Sequence, residues 1–122
     1  MEKTILIDNK DIHFKCTAGT FIRYKQQFNS EFIADIAKLQ ESLSTNKAGK
    51  VTGIDYTKLS LDTFYQIAWA CAKTADDHIP DAMAWLDSFE TFPIMDIMPQ
   101  IMNMVGQNLK MNITVKADDS KN

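Results

Sequence analysis

Two histidines and a scatter of carboxylates are the residues of this chain that could move protons or hold a metal. His78 directly follows Asp76 and Asp77, an acid–imidazole grouping of the type used in dyads and ligand sets. Three adjacent loop residues rarely converge on one point, and no further Cys/His cluster at ligand spacing is present, so a capped helix end is the favoured reading. His13 stands on an alternating segment, opposite the apolar side, which favours a solvated ring over a catalytic one. Asp76, Asp77, Asp81 and Asp87 read better as solvated helix ends than as paired carboxylates. Gly49-Lys50 matches only the end of a phosphate-binding loop: Ser44 stands where the earlier glycine belongs and Val51 where a hydroxyl belongs. No GxSxG, HExxH or GxGxxG occurs. The expectation is a protein that is not an enzyme, with no catalytic residue, no metal and no cofactor.

Charge and composition narrow the classes further. The chain has 122 residues and a formal net charge of -3, enough length for one domain with its own core. Arg23, Lys25 and Lys38 flank Tyr24, but the acidic total favours a solvated helix face over a nucleic-acid patch. No apolar run reaches the roughly 20 residues that cross a bilayer, and MEKTILIDNKD lacks the apolar stretch of a signal peptide. Neither nucleic acid nor membrane is an expected partner, and the expected location is cytoplasmic. Cys16 and Cys71 lie in apolar patterns and read as small reduced core residues, not as a structural disulfide.

The elements that would position these residues centre on Leu59–Leu86. From Leu61 to Ala75 the apolar residues share one wide helical arc, with Ser60 as its N-cap and a possible staple between Leu59 and Phe64. Trp69 falls at the edge of that arc, as a half-buried lid or a partner contact. Upstream, Thr4–Ile7 and the alternation of Ile12, Phe14 and Cys16 predict a hairpin turning at Asp8–Asp11. Thr20 can cap a helix carrying Phe21, Ile22, Tyr24 and Phe28, and Glu31–Leu43 predicts a second helix. Downstream, Pro80 suits the first position of a helix whose inner face is Ala82, Met83, Leu86 and Phe89. A last helix carries Ile94 to Val105 and either kinks or starts at Pro99. The predicted fold is α+β, mostly α: a short N-terminal β-hairpin packed on a bundle of about five helices. One domain spans residues 1–111, with a mobile loop at about 44–58, and 112–122 form a disordered tail.

Seven methionines occur, and Met95, Met98, Met102, Met104 and Met111 crowd into the last helix and its exit. Methionine suits forgiving contact surfaces as well as irregular cores. The apolar ring of that helix looks too wide for one buried face, so part of it is expected to meet another chain. Trp69, Trp85, Met95, Met98, Met102 and Met104 are the candidate partner-binding residues.

Two stretches carry a family resemblance. Phe14-Lys15-Cys16-Thr17-Ala18-Gly19-Thr20-Phe21-Ile22-Arg23-Tyr24-Lys25-Gln26-Gln27-Phe28 resembles the F-x-A-T-A-x-T-x-x-R-Y-R-x-x-F opening of tail assembly chaperones from long-tailed phages and prophages of Gram-positive hosts. Phe64 to Leu86, with its A-W-A-x-A-K-T-A core and P-D-x-x-x-W-L sequel, is similar to the second half of the same family. Phe92 to Met102 adds the F-x-x-x-x-x-x-P-x-I-M helix. Cys16 departs from a frequent alanine, and Asn29-Ser30-Glu31 from a glycine-containing acidic stretch.

The resemblance implies a non-enzymatic protein that binds the tape measure protein and keeps it soluble while tail tube subunits polymerise around it. It also implies self-association into homo-oligomers, a longer frameshifted product of the same gene with Lys116–Asn122 ending the short form, and absence from the mature virion. Composition leaves two competitors: a structural tail completion or connector protein of the virion, and a small helical DNA-binding regulator. The lack of a basic recognition helix weighs against the second.

Overall fold

The computed structural model describes residues 1–48 and 51–109. The fold is α+β and mostly helical, with an N-terminal hairpin followed by five helices among the described residues. The expected tail at 112–122 lies outside them, as do Met111 and Gly49-Lys50.

Strands β1 (Glu2–Ile7) and β2 (Lys10–Lys15) pair antiparallel, with Ile7 opposite Lys10. That register leaves a two-residue turn, Asp8-Asn9, with φ of 55° and 64°. A turn with both central residues left-handed matches the twist of a hairpin, and Asp and Asn tolerate it better than other non-glycine residues. The turn is latched to residues far along the chain: Glu90 N–H donates to Asp8 Oδ2 at 3.0 Å, and Lys10 Nζ donates to the Ser88 carbonyl at 3.1 Å. Ile5, Ile7, Phe14 and Cys16 form the buried face.

Helix α1 (Ala18–Phe28) starts earlier than its sequence suggests. Thr17, not Thr20, is the N-cap: its hydroxyl accepts from Gly19 N–H at 3.2 Å, while Thr20 Oγ1 accepts from Thr17 N–H at 3.0 Å. Two hydroxyls three residues apart make a capping box, and the partner sitting inside the helix is easily mistaken for the cap. Helix α2 spans Phe32–Gln40 and ends before Leu43, which opens a further strand.

That strand and a second one fall within the stretch read as a loop at about 44–58. Strands β3 (Leu43–Thr45) and β4 (Val51–Ile54) pair antiparallel, with a register shift between Ser44 and Thr45. Asp55 N–H donates to the Ser42 carbonyl at 2.6 Å and ties the base of this small hairpin.

Helix α3 (Leu61–Ala75) is the centre of the molecule. Ser60 caps it as expected, accepting from Thr63 N–H at 3.3 Å. Every residue from Ile67 to Ala72 is buried, because the hairpin, α1, α2 and α4 all pack on it. Helix α4 (Ala82–Asp87) begins two residues later than Pro80, with Asp81 as its cap accepting from Ala84 N–H at 2.9 Å. Its inward residue is Trp85. Met83, expected on the inner face, is exposed.

Helix α5 (Ile94–Asn108) runs through Pro99 without starting there. Pro99 leaves the Met95 carbonyl without its helical donor, and at the next carbonyl along Gln100 Nε2 donates to Asp96 at 2.8 Å.

Candidate functional site

The surface expected for partner binding is mostly interior. Trp69 is 3% exposed, Trp85 4%, Met98 and Met102 0% and Met104 5%. These five are therefore not accessible contacts of the folded chain. A helix that is apolar nearly all round is a buried helix, and α5 hides Ile97, Met98, Ile101, Met102, Met104 and Val105 within this one domain. The width of its apolar ring reflects central packing, not a demand for a second chain.

Both tryptophans have specific partners inside. Trp69 Nε1 donates to the Pro80 carbonyl at 2.9 Å, and its ring meets Phe28 edge-on at 5.5 Å. Trp85 stands edge-on to Phe14, Phe89 and Phe92, at 6.4, 5.1 and 5.9 Å. Such pairs add to plain area burial, so each ring is a junction between elements distant in sequence.

Met95 is the candidate that remains outside, 54% exposed. The Tyr56 hydroxyl donates to its sulfur at 2.9 Å, and Tyr56 is itself 62% exposed. The two form an apolar spot joining the β4–α3 connection to the start of α5. Tyr56 was not legible as a surface residue, because no apolar period around it marks a face. Leu6, Ile22, Ile33, Leu61 and Met83 are further exposed apolar side chains.

The acid–imidazole grouping does converge, against expectation. His78 Nδ1 lies 3.3 Å from both Asp76 Oδ1 and Asp77 Oδ1, and the three ligand atoms fall within 4.8 Å of one another. The turn itself produces this: Asp76 Oδ1 accepts from His78 N–H at 3.0 Å, folding the imidazole back over the carboxylates. All three side chains face solvent. Among the described residues, this is the group able to offer three donors to a cation.

The backbone N–H of His78, then its ring, holds the Asp76 carboxyl below the ordinary carboxylate range. A depressed folded pKa gives stability above the unfolded value that is lost as pH falls through the folded one. For so exposed a group the effect on stability is expected to be small, but the midpoint is measurable. Carboxyl-carbon NMR should place it below about 3.9, and His78→Ala should restore it only in part, because the backbone donor stays. A midpoint at the ordinary value would mean the turn does not persist in solution.

His13 is exposed, with Nδ1 2.8 Å from Thr4 Oγ1 across the hairpin. It borders a cavity of about 90 Å³ with Asp11, Asp76 and Trp85. An open cleft of about 430 Å³ is lined by Lys38, Leu39, Glu41, Lys58, Ser60 and Thr63 at the start of α3.

The residues that carry the motifs meet in one place. Tyr24 Oη donates to Asp35 Oδ2 at 2.7 Å and lies 3.2 Å from Gln66 Oε1. Thr20 Oγ1 is 2.8 Å from Thr74 Oγ1, to which Arg23 Nη1 donates at 3.0 Å. Together with the Phe28–Trp69 contact, the bonds to Gln66 and Thr74 make the α1–α3 interface, and the bond to Asp35 ties α1 to α2. They fix helices against each other, with Tyr24 fully buried between them. Comparison with family models, with curated proteins and with solved structures found no match. No helix among the described residues is long and apolar enough to cross a membrane.

Proposed function

We propose that this chain is a non-enzymatic tail assembly chaperone, which binds apolar helical segments of a phage tape measure protein and keeps them soluble while the tail tube is built. The observation that carries the reading is the meeting of the two resembling stretches in the α1–α3 interface through Thr20, Arg23, Tyr24, Phe28, Gln66, Trp69 and Thr74. Motifs that specify packing support a family defined by architecture and surface, not by reaction chemistry.

On this reading Met95 and Tyr56 form the centre of the contact, an adaptable thioether beside an aromatic ring. Trp69, Trp85, Met98, Met102 and Met104 support it from the core. Further copies of the chain, and a longer frameshifted product, would use the same exposed apolar residues. The action is passive: bound surface is withheld from aggregation, and tube subunits later displace the chaperone. It places the protein in the host cytoplasm and outside the finished virion.

Co-expression with the tape measure protein is the test. A soluble complex should elute together in gel filtration, and Met95→Asp should weaken it severalfold while leaving the melting temperature close to that of the parent. Unchanged tape measure solubility with no co-elution overturns the proposal. A stoichiometric amount of this chain in purified virions would favour a structural tail component instead.

A further inference from the structure

Cys16 and Cys71 are both free and fully buried, and the surrounding contacts bring them together. Cys16 links β2 to α1. Its N–H donates to the Met1 carbonyl at 2.9 Å, and its own carbonyl accepts from Asn108 Nδ2 at 2.8 Å. Thr20, one turn along, hydrogen-bonds the Cys16 side chain and is held 2.8 Å from the Thr74 hydroxyl. Thr74 lies three residues beyond Cys71, on the same face of α3. It is fixed in turn by donation to the Ala70 carbonyl at 2.7 Å. With β2 also packed along α3, the Cys16 thiol is left facing the Cys71 thiol, and the two share a hydrogen bond.

We propose that Cys16 and Cys71 are a peroxide-sensitive dithiol that closes to an intramolecular disulfide, tying the β2–α1 corner to the middle of α3. The oxidant is a hydroperoxide. The Cys16 thiolate attacks one oxygen of hydrogen peroxide, the O–O bond breaks, and hydroxide leaves and takes up a proton as water. The sulfur of Cys71 then attacks the resulting sulfenic acid: the S–S bond forms, the S–O bond breaks, and the Cys71 proton leaves with the hydroxyl as a second water. Two thiols are oxidised and one peroxide is reduced.

The division of labour follows the local fields. The hydrogen bond from Cys71 pulls the Cys16 thiol down against the opposing effect of burial, with the N-terminal ammonium and Thr20 adding to it. The bond to Cys16 and full burial push Cys71 up. Cys16 is therefore the attacking sulfur and Cys71 the resolving one.

The test treats the purified full chain, in native buffer, with hydrogen peroxide, followed by unfolding, alkylation and peptide mapping. The exposed Met83 and Met95 report that oxidant reached the protein by each gaining an oxygen. The expected product is a monomer with a Cys16–Cys71 cross-link, lighter by two hydrogens in the linked peptides, refractory to alkylation until reduced, and with a raised melting temperature. In Cys71→Ser, whose hydroxyl keeps a donor for Cys16 but cannot form a disulfide, Cys16 should instead be trapped by dimedone as sulfenic acid. The proposal is overturned if Met83 and Met95 oxidise while both thiols remain alkylatable. It is equally overturned if the bond joins two molecules or forms only in urea.

Discussion

Trp69→Ala is expected to lower the free energy of unfolding by about 3–5 kcal/mol, the range for emptying a large aromatic site in a core. The ring is almost wholly enclosed, and Phe28 and Pro80 both lose their partner with it. Trp69→Phe separates the components. It keeps an aromatic body against Phe28 but leaves the Pro80 carbonyl without the indole donor, for an expected loss of roughly 1–3 kcal/mol. Urea titrations followed by circular dichroism measure both, and Trp85 remains as a fluorescence reporter in each variant. The chaperone reading sharpens the comparison. If Trp69 touched a partner directly, alanine would weaken the complex with little change in the urea midpoint. The enclosed geometry predicts the reverse, with Met95→Asp showing the binding defect and Trp69→Ala the folding defect.

How far this was legible in the sequence depends on whether the deciding contact is local. Helix α3 was readable because its cap Ser60 and its apolar period are both written within the segment itself. The β1–β2 hairpin was readable for the same reason: alternation on β2 and an Asp-Asn turn. Trp69 was not, because its position at the edge of the helical arc says nothing about Pro80 and Phe28, which arrive from other elements to cover it. The α5 methionines were misread through the same gap. An apolar ring is compatible with a sticky surface or with a central helix, and only the long-range packing, with β1 of the hairpin laid on α5, decides between them. Strands β3 and β4 escaped notice because they are short and contain Ser44 and Gly53, which carry little strand signal. The facing thiols of Cys16 and Cys71 depend wholly on long-range packing, and sequence offered only their apolar surroundings.

The second large effect is expected at Tyr24, where α1 meets α2 and α3 around a buried polar network. Its hydroxyl and that of Ser30 both donate to Asp35 Oδ2 at 2.7 Å, and Asp35 is only 8% exposed. Tyr24→Phe leaves a nearly buried carboxylate with one fewer donor, and hydrogen bonds to charged groups are worth about 1.5–3 kcal/mol. That loss should appear in full at neutral pH. Burial first, then the hydrogen bond and the negative charge of Asp35, raise the Tyr24 pKa well above its ordinary value. A raised folded pKa means the unfolded chain releases its proton first, so the stabilisation is complete below the unfolded value of about 10 and is lost as pH climbs through the folded one. The gap between parent and Tyr24→Phe, measured by urea titration, should therefore be constant from pH 7 to about 9 and narrow as pH rises above about 10. A gap that stays constant into strong alkali would show that Tyr24 ionises equally in both states. The buried hydroxyl–carboxylate contact would then not hold α1 against α2 in solution.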